Sequence, residues 1–229
     1  MFFFDTNYLI LVLLPTIVLS GLAQLWVSSA FQKWGNTRNG LGMTGVSIGE
    51  RIKQSAGLTA VRFESVAGQM SDHFDPADNV VRISQDVATK PSVAAMAIIA
   101  HELGHAQQYQ EKSPLIAMRS FLVPAMRLSP SISYGLIVAG LLFNATGLLT
   151  LGIIFFSVVV VFSLLTLPVE FDASRRGLKL LQEAGLATTS QDVTGSRQIL
   201  TAAAMTYVAA FLTSLLTLLY YISLLQRRN

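Results

Sequence analysis

The sequence contains no cysteine, and few of its residues carry a charge. Without cysteine the chain has neither disulfides nor thiolate ligands, so a metal site would have to use histidine or oxygen donors. Charged residues make up 13% of the 229 residues, against roughly a quarter in an ordinary soluble domain. Hydrophobic residues make up 52% and lie in long runs, a composition that indicates a membrane protein.

A net charge of +3 and a pI of about 9.3 accompany this composition. The Lys and Arg residues cluster beside the apolar runs, where positive charge sets the orientation of a membrane protein. No basic stretch interleaved with aromatic residues occurs, so we expect a lipid bilayer rather than nucleic acid as a partner.

The long apolar runs predict four transmembrane helices, because each run can cross a bilayer of roughly 30 Å. The first covers residues 8–30 and the last covers residues 200–226. The run at 132–167 is too long for one crossing and predicts a hairpin of two helices that turns at 144–147. A cleaved signal peptide is an alternative for the first run, because Ser28-Ser29-Ala30 resembles a cleavage site. Asp5 and the absence of Lys or Arg before the run favour a retained anchor.

The remaining segments predict one small folded portion at 31–112. Alternating residues at 61–66 and 80–83 indicate two strands of an antiparallel sheet, and residues 92–110 have helical periodicity. Three prolines at 113–131 indicate a broken, interfacial segment. Residues 168–199 predict a helix that starts at Pro168, followed by a polar loop. We therefore expect an α-helical integral membrane protein with a small antiparallel β-sheet.

The pattern His101-Glu102-Leu103-Gly104-His105 lies on the helix predicted for 92–110. Residues four apart share a helix face, so both imidazoles can reach one zinc ion. Glu102 lies about 100° round the helix, where it can act as a base toward water without being a ligand. This H-E-x-x-H spacing is typical of zinc peptidases, and the chain has only three histidines.

Two histidines leave a catalytic zinc site one protein ligand short. A third histidine does not follow closely, which leaves His73 and the downstream acids as candidates. Glu170 is the best of these, although a glutamate early in a helix is also favoured by the helix dipole alone. Two crossings separate Glu170 from the motif and return the chain to the same side of the membrane. His101, His105 and Glu170 can therefore share one compartment and one metal.

The sequence resembles the YugP-type neutral zinc metallopeptidases of bacteria, which are membrane relatives of the HtpX and CAAX prenyl protease group. The resemblance covers nearly the whole chain and rests on an ordered set of segments: LGMTG at 41–45, SDHFDP at 71–76, VRIS at 81–84, AHELGHA at 100–106, LPVEFDASRR at 167–176 and AAAMTYVAA at 202–210.

This resemblance implies a zincin-like catalytic portion with one catalytic zinc ion on His101, His105 and Glu170, and Glu102 as the catalytic base. Many gluzincins place an aspartate four residues after the ligand glutamate, where it orients a ligand histidine. Here that position is Ser174, and Asp172 lies two residues away. A serine hydroxyl can also accept the histidine N–H, so the partner of the ligand histidines stays open.

Several polar residues have both a functional and a structural interpretation. His73, with Asp72 and Asp75, could line the cleft or stabilise an oxyanion, but a hydrogen-bonded turn explains them as well. Arg175 and Arg176 could contact substrate, although arginines just past a crossing usually set orientation. The strand at 80–83 could bind substrate as an added strand if its edge were free.

The expected function is hydrolysis of peptide bonds in a protein or peptide substrate. Positive charges near the crossings predict that the catalytic side faces the cytoplasm. The opposite side has only Arg227 and Arg228, together with Asp5. The positive residues near the crossings on the catalytic side are Lys33, Arg38, Arg119, Arg127, Arg175, Arg176 and Lys179. A zinc-binding assembly factor or scaffold is the main alternative, but structural zinc needs no base such as Glu102. A transporter would need ionisable residues inside its crossings, and these crossings have essentially none.

Overall fold

Four long helices account for most of the residues that the computed structural model describes, 6–228. All four are long and apolar enough to cross a membrane, which confirms the predicted helical membrane architecture. In chain order the elements are α1 (Thr6–Gly35, with a π-helical stretch at Leu9–Leu13), α2 (Gly45–Ser55), β1 (Arg62–Val66), β2 (His73–Asp75), β3 (Val80–Ser84), α3 (Gln85–Thr89), α4 (Val93–Gln110), α5 (Pro114–Leu142), α6 (Thr146–Glu183) and α7 (Ser190–Gln226).

Two segments that the prolines marked as breaks are continuous helix. The interfacial segment expected at 113–131 belongs to α5, which contains Pro124 and Pro130. Helix α6 likewise passes through Pro168, where the sequence predicted a new helix. A proline removes one backbone hydrogen bond, whereas unwinding an apolar segment would expose many unpaired groups to lipid. The helix therefore continues through each proline, and Glu170 lies inside a long helix rather than in a first turn.

Helix α7 also begins earlier than its apolar part, at Ser190 within the expected polar loop. Thr189 and Asp192 explain this start through a reciprocal cap. Thr189 Oγ1 accepts a hydrogen bond from Asp192 N at 3.1 Å, and Asp192 Oδ2 accepts one from Thr189 N at 2.9 Å. Such a capping box satisfies two backbone donors that the first helical turn leaves unpaired.

The small sheet is mixed rather than antiparallel. Its strand order is β1-β3-β2, with β3 parallel to β1 and antiparallel to β2. The three-residue strand β2 adds a reversal between the two predicted strands, so β1 and β3 run in the same direction. Because β3 is paired on both sides, the interpretation that it binds substrate as an added strand is wrong.

The chain divides into two compact units, and the residues of interest for chemistry lie in one of them. The sheet unit comprises Leu25–Ile116 and Val169–Ala204. Its core packs residues of α2, the sheet and α4 with parts of α1, α6 and α7, including Ile52, Val81, Met96, Leu180 and Leu200. Within the described residues, the helical unit comprises those up to Gln24, Ala117–Pro168 and those from Met205 onward.

Candidate metal centre

Helix α4 carries both histidines of the motif on a firmly anchored scaffold. Ser92 caps its N-terminus, since the Ser92 hydroxyl accepts a hydrogen bond from Ala95 N at 3.1 Å. Val93, Met96 and Ala100 are fully buried in the core of the sheet unit. Burial of this face fixes the rotation of α4 and therefore the direction in which His101 and His105 project.

Two glycines allow α4 and α6 to approach each other closely. A Cβ added at Gly104 would lie 2.4 Å from the carbonyl oxygen of Ala173, and one added at Gly177 would lie 2.8 Å from that of Ala100. Real Cβ atoms do not come this close to backbone oxygens. The absence of side chains at these two positions thus sets the short spacing that brings Glu170 to the histidines.

The structure brings together the three residues that the sequence predicted as metal ligands. Glu170 Oε2 lies 3.4 Å from His101 Nε2 and 3.5 Å from His105 Nε2, and the Glu170 side chain is only 3% exposed. Ligand atoms about 2.1 Å from a tetrahedral ion lie about 3.4 Å apart. Two imidazole nitrogens and one carboxylate oxygen, all within 4.8 Å of one another, could hold a zinc ion as the three protein ligands of a catalytic site.

The far nitrogen of each imidazole faces a polar side chain. His101 Nδ1 lies 3.3 Å from Ser174 Oγ, and His105 Nδ1 lies 3.1 Å from Gln108 Oε1. Partners of this kind fix the ring orientation of metal-binding histidines. The geometry thus places Ser174 beside His101, at the position where the sequence pattern left the partner open.

Asp172 is the centre of a second cluster, which adjoins the ligands. Its carboxylate accepts hydrogen bonds from Gln108 Nε2 at 2.8 Å and from Arg176 Nε at 2.6 Å, and it also pairs with Arg175. Arg176 also donates a hydrogen bond from Nη1 to Glu111 Oε2 at 2.7 Å. Asp172 therefore reaches neither ligand histidine directly, and both arginines pair with acids of their own chain.

Glu102 is separate from the three ligands but electrostatically close to all of them. Its carboxylate is buried and accepts a hydrogen bond from the backbone N–H of Phe74 in β2 at 2.9 Å. Burial raises the pKa of Glu102 above its usual range, against the lowering effect of the two histidines. A carboxylate with a raised pKa is a better proton acceptor, which is the property that a general base needs.

The pKa of His105 reflects the negative charge of the carboxylates around it. Burial by itself lowers the pKa of His105, but the hydrogen bond to Glu170 and the nearby Glu102 and Glu170 carboxylates raise it above its usual value. The surrounding carboxylates therefore favour positive charge at this point, whether a proton or a metal ion supplies it.

The polar residues before β3 lie outside the cluster of ligands. His73 is exposed on β2, with Nδ1 2.8 Å from the carbonyl oxygen of Ser71. Asp72 accepts hydrogen bonds from the backbone and hydroxyl of Ser84, and Asp75 pairs with Arg82. The two aspartates hold the strands together, and a direct role for His73 in catalysis stays a prediction.

Three features of the site were missed by sequence reasoning. Gln108 lies three residues after His105, a spacing that places both on one helix face and that could have been recognised. Gly177 lies seven residues after Glu170, which is about two helical turns along the same face. The hydrogen bond from Phe74 uses a backbone N–H, which has no signature in the sequence.

Two histidines of an H-E-x-x-H pattern and a glutamate from another helix, placed side by side, match the ligand pattern of one class of zinc enzymes. The chain belongs to the family described as "Putative neutral zinc metallopeptidase", whose model matches residues 9–226. It is 38% identical over 204 residues to "Putative membrane protease YugP" of Bacillus subtilis (strain 168), covering 89% of this chain and 90% of the relative. No solved structure matches.

Proposed function

We propose that the chain is a membrane-embedded zinc-dependent endopeptidase that hydrolyses peptide bonds of proteins or peptides. The observation that carries the proposal is the distance of 3.4–3.5 Å from Glu170 Oε2 to both histidine Nε2 atoms, with a buried non-ligand Glu102 beside them. His101, His105 and Glu170 hold the metal, and Glu102 acts as the base. Family membership supports the zinc and the peptidase chemistry.

The mechanism assigns Glu102 the proton transfers. A zinc ion at this centre supplies Lewis-acid polarisation of the scissile carbonyl and lowers the pKa of water. The Glu102 carboxylate accepts a proton from the attacking water as the new carbon–oxygen bond forms. It then delivers this proton to the leaving nitrogen as the carbon–nitrogen bond breaks, which yields an amine and a carboxylic acid. The hydrogen bond from Phe74 N holds the carboxylate in place during both transfers.

The buried Glu102 also distinguishes this proposal from a zinc scaffold without activity. Burial of a carboxylate that binds no metal costs free energy, and a purely structural zinc site gains nothing from it. A base for proton transfer explains why the side chain is present. If the chain binds zinc but cleaves no peptide under any condition tested, the result supports a zinc-binding scaffold instead.

We place the catalytic side in the cytoplasm and the substrate near the membrane surface. The support is the excess of Lys and Arg near the crossings on the catalytic side. Glu170 follows the apolar part of α6 by only a few residues, which favours substrates that are membrane proteins or peptides bound at the surface. Recovery of only soluble proteins by an inactive Glu102→Gln trap would contradict this substrate class.

The experiment that tests the proposed function measures zinc content and cleavage of a peptide library by the detergent-purified full chain. We expect one zinc per chain, loss of cleavage after chelation and recovery after zinc is added back. Glu183→Gln, an exposed acid on the same helix as Glu170, is the control and should behave as wild type. A chain that binds no zinc under metal-replete conditions would overturn the proposal.

A further inference from the structure

The side-chain amide of Gln108 is fully buried between α4 and α6. Its Nε2 donates to the carbonyl oxygen of Val169 at 2.9 Å and to Asp172 Oδ2 at 2.8 Å. Both partners offer acceptor oxygens, namely the backbone carbonyl of Val169 and the carboxylate of Asp172, which is paired with Arg175 and Arg176. The amide nitrogen must therefore face α6, and the amide oxygen must face His105.

This orientation determines which nitrogen of His105 carries a proton. Gln108 Oε1 can only accept a hydrogen bond, so Nδ1 of His105, 3.1 Å away, must donate it. In the neutral ring the lone pair then lies on Nε2, the atom that faces Glu170. Gln108 thus selects the tautomer of His105 that a metal ligand needs.

The other end of the same amide holds the helix that carries Glu170. Val169, whose carbonyl accepts from Gln108, directly precedes Glu170 in the chain. Asp172, the second acceptor, is itself held by Arg175 and Arg176. One buried amide therefore links an imidazole ligand on α4 to the backbone beside the carboxylate ligand on α6.

We propose that Gln108 is a positioning residue of the metal centre, which sets the tautomer of His105 and the place of Glu170 relative to it. The inference rests on the proposed function, because it assigns Gln108 a role toward the zinc ligands. Nothing in the H-E-x-x-H spacing requires a glutamine at this point, so the assignment comes from the contacts alone.

The test compares Gln108→Met, which keeps the length of the side chain but removes its hydrogen bonds to His105, Val169 and Asp172, with Gln110→Met on the exposed side of the same helix. Zinc affinity is measured by competition with a chromogenic chelator, and the geometry of the site by the visible spectrum of the cobalt(II)-substituted protein. We expect Gln108→Met to bind zinc about 10–100-fold more weakly, the usual effect of losing an outer partner, and to change the cobalt spectrum. Gln110→Met should do neither.

A charge-conserving swap gives a second, independent test. Gln108→Glu alone keeps an acceptor for His105 but places a carboxylate against Asp172, so zinc affinity should fall. Adding Asp172→Asn replaces that repulsion with a hydrogen bond from the new amide, and at least about tenfold of the lost affinity should return.

Wild-type zinc affinity and an unchanged cobalt spectrum in Gln108→Met would overturn the inference. A double variant that binds zinc no better than Gln108→Glu would overturn the link to α6. Failure of the proposed function is a different observation, namely wild-type protein that binds no zinc or binds it without cleaving any peptide. In the latter case, the affinity and spectra still decide the role of Gln108.

Discussion

Helix α6 approaches two other helices through glycine, but only one of these two contacts builds a candidate active site. In the sheet unit, a Cβ at Gly104 of α4 would lie 2.4 Å from Ala173 O of α6. In the helical unit, a Cβ at Gly140 of α5 would lie 2.6 Å from Leu149 N of α6. Both contacts bring helix backbones together, so close packing by itself does not indicate chemistry.

The difference lies in the polar groups buried beside each contact. Among the described residues of the helical unit, the buried polar side chains are hydroxyl groups, such as Ser133, which donates to Gly152 O at 2.9 Å. Beside the α4–α6 contact, Glu102, Glu170 and Asp172 are buried together with Gln108. A buried hydroxyl group costs little free energy, because it can donate a hydrogen bond to a backbone carbonyl of the neighbouring helix. A buried carboxylate costs much more, and it is found where a proton or a metal ion neutralises its charge.

The largest effect on zinc affinity should come from removing the carboxylate at the α4–α6 contact. We expect Glu170→Ala to weaken zinc binding by more than the roughly 10–100-fold that loss of an outer partner costs, because a direct ligand is lost. The measurement is chelator competition, with Glu183→Ala as control. Zinc affinity within a few-fold of wild type in Glu170→Ala would show that Glu170 is not a ligand.

The next largest effect on zinc affinity should distinguish the α4–α6 glycine contact from the α5–α6 glycine contact. Gly104→Ala forces α4 and α6 apart, so it should lower the free energy of unfolding by about 1–3 kcal/mol and weaken zinc binding. Gly140→Ala should destabilise the chain by a similar amount but leave zinc affinity unchanged. Gly135→Ala, where an added Cβ meets nothing within 4 Å, is the neutral control. Equal loss of zinc affinity in the Gly104 and Gly140 variants would contradict the distinction between the contacts.

A smaller effect is expected from the hydroxyl beside His101. Ser174→Ala removes the partner at 3.3 Å from His101 Nδ1, and water can replace part of this contact. Zinc affinity should therefore fall by about tenfold, the low end of the range for an outer partner. Chelator competition on Ser174→Ala and Ser174→Thr checks this, since the threonine variant keeps the hydroxyl. Equal losses in both variants would argue against a role for the hydroxyl.

The smallest effect is predicted for the matching hydroxyl of the helical unit. Ser133→Ala removes one hydrogen bond to Gly152 O and should cost about 0.5–1.5 kcal/mol in the free energy of unfolding. Zinc affinity should not change. Thermal unfolding in detergent and chelator competition on the same preparation check both statements, and any loss of zinc affinity would contradict them.

The local part of the site could be predicted from the sequence, because the relevant spacing lies within one helix. His101, Glu102 and His105 follow from residues four apart on a single helix face. Glu170 followed from counting crossings, an argument that depends only on the parity of the apolar runs. These predictions needed no knowledge of how the helices pack.

The rest depended on packing that the sequence does not encode locally. Strand β2 has three residues, too few for an alternating pattern, so the sheet was predicted as antiparallel. Pro168 looked like a helix start, but the apolar residues around it favour a continuous helix. The spacing of Gln108 to His105 could have been recognised, but its link to Val169 and Asp172 of α6 appears only in the folded structure.

The most direct measurement of the proposed chemistry compares Glu102→Gln with wild type for zinc content and for peptide hydrolysis. The substitution keeps the shape of the side chain and an oxygen that can accept from Phe74 N, but it removes the base. We expect Glu102→Gln to retain one zinc per chain and to cleave about 10²–10⁴-fold more slowly. Cleavage at the wild-type rate by the zinc-loaded variant would contradict the assignment of Glu102 as the base.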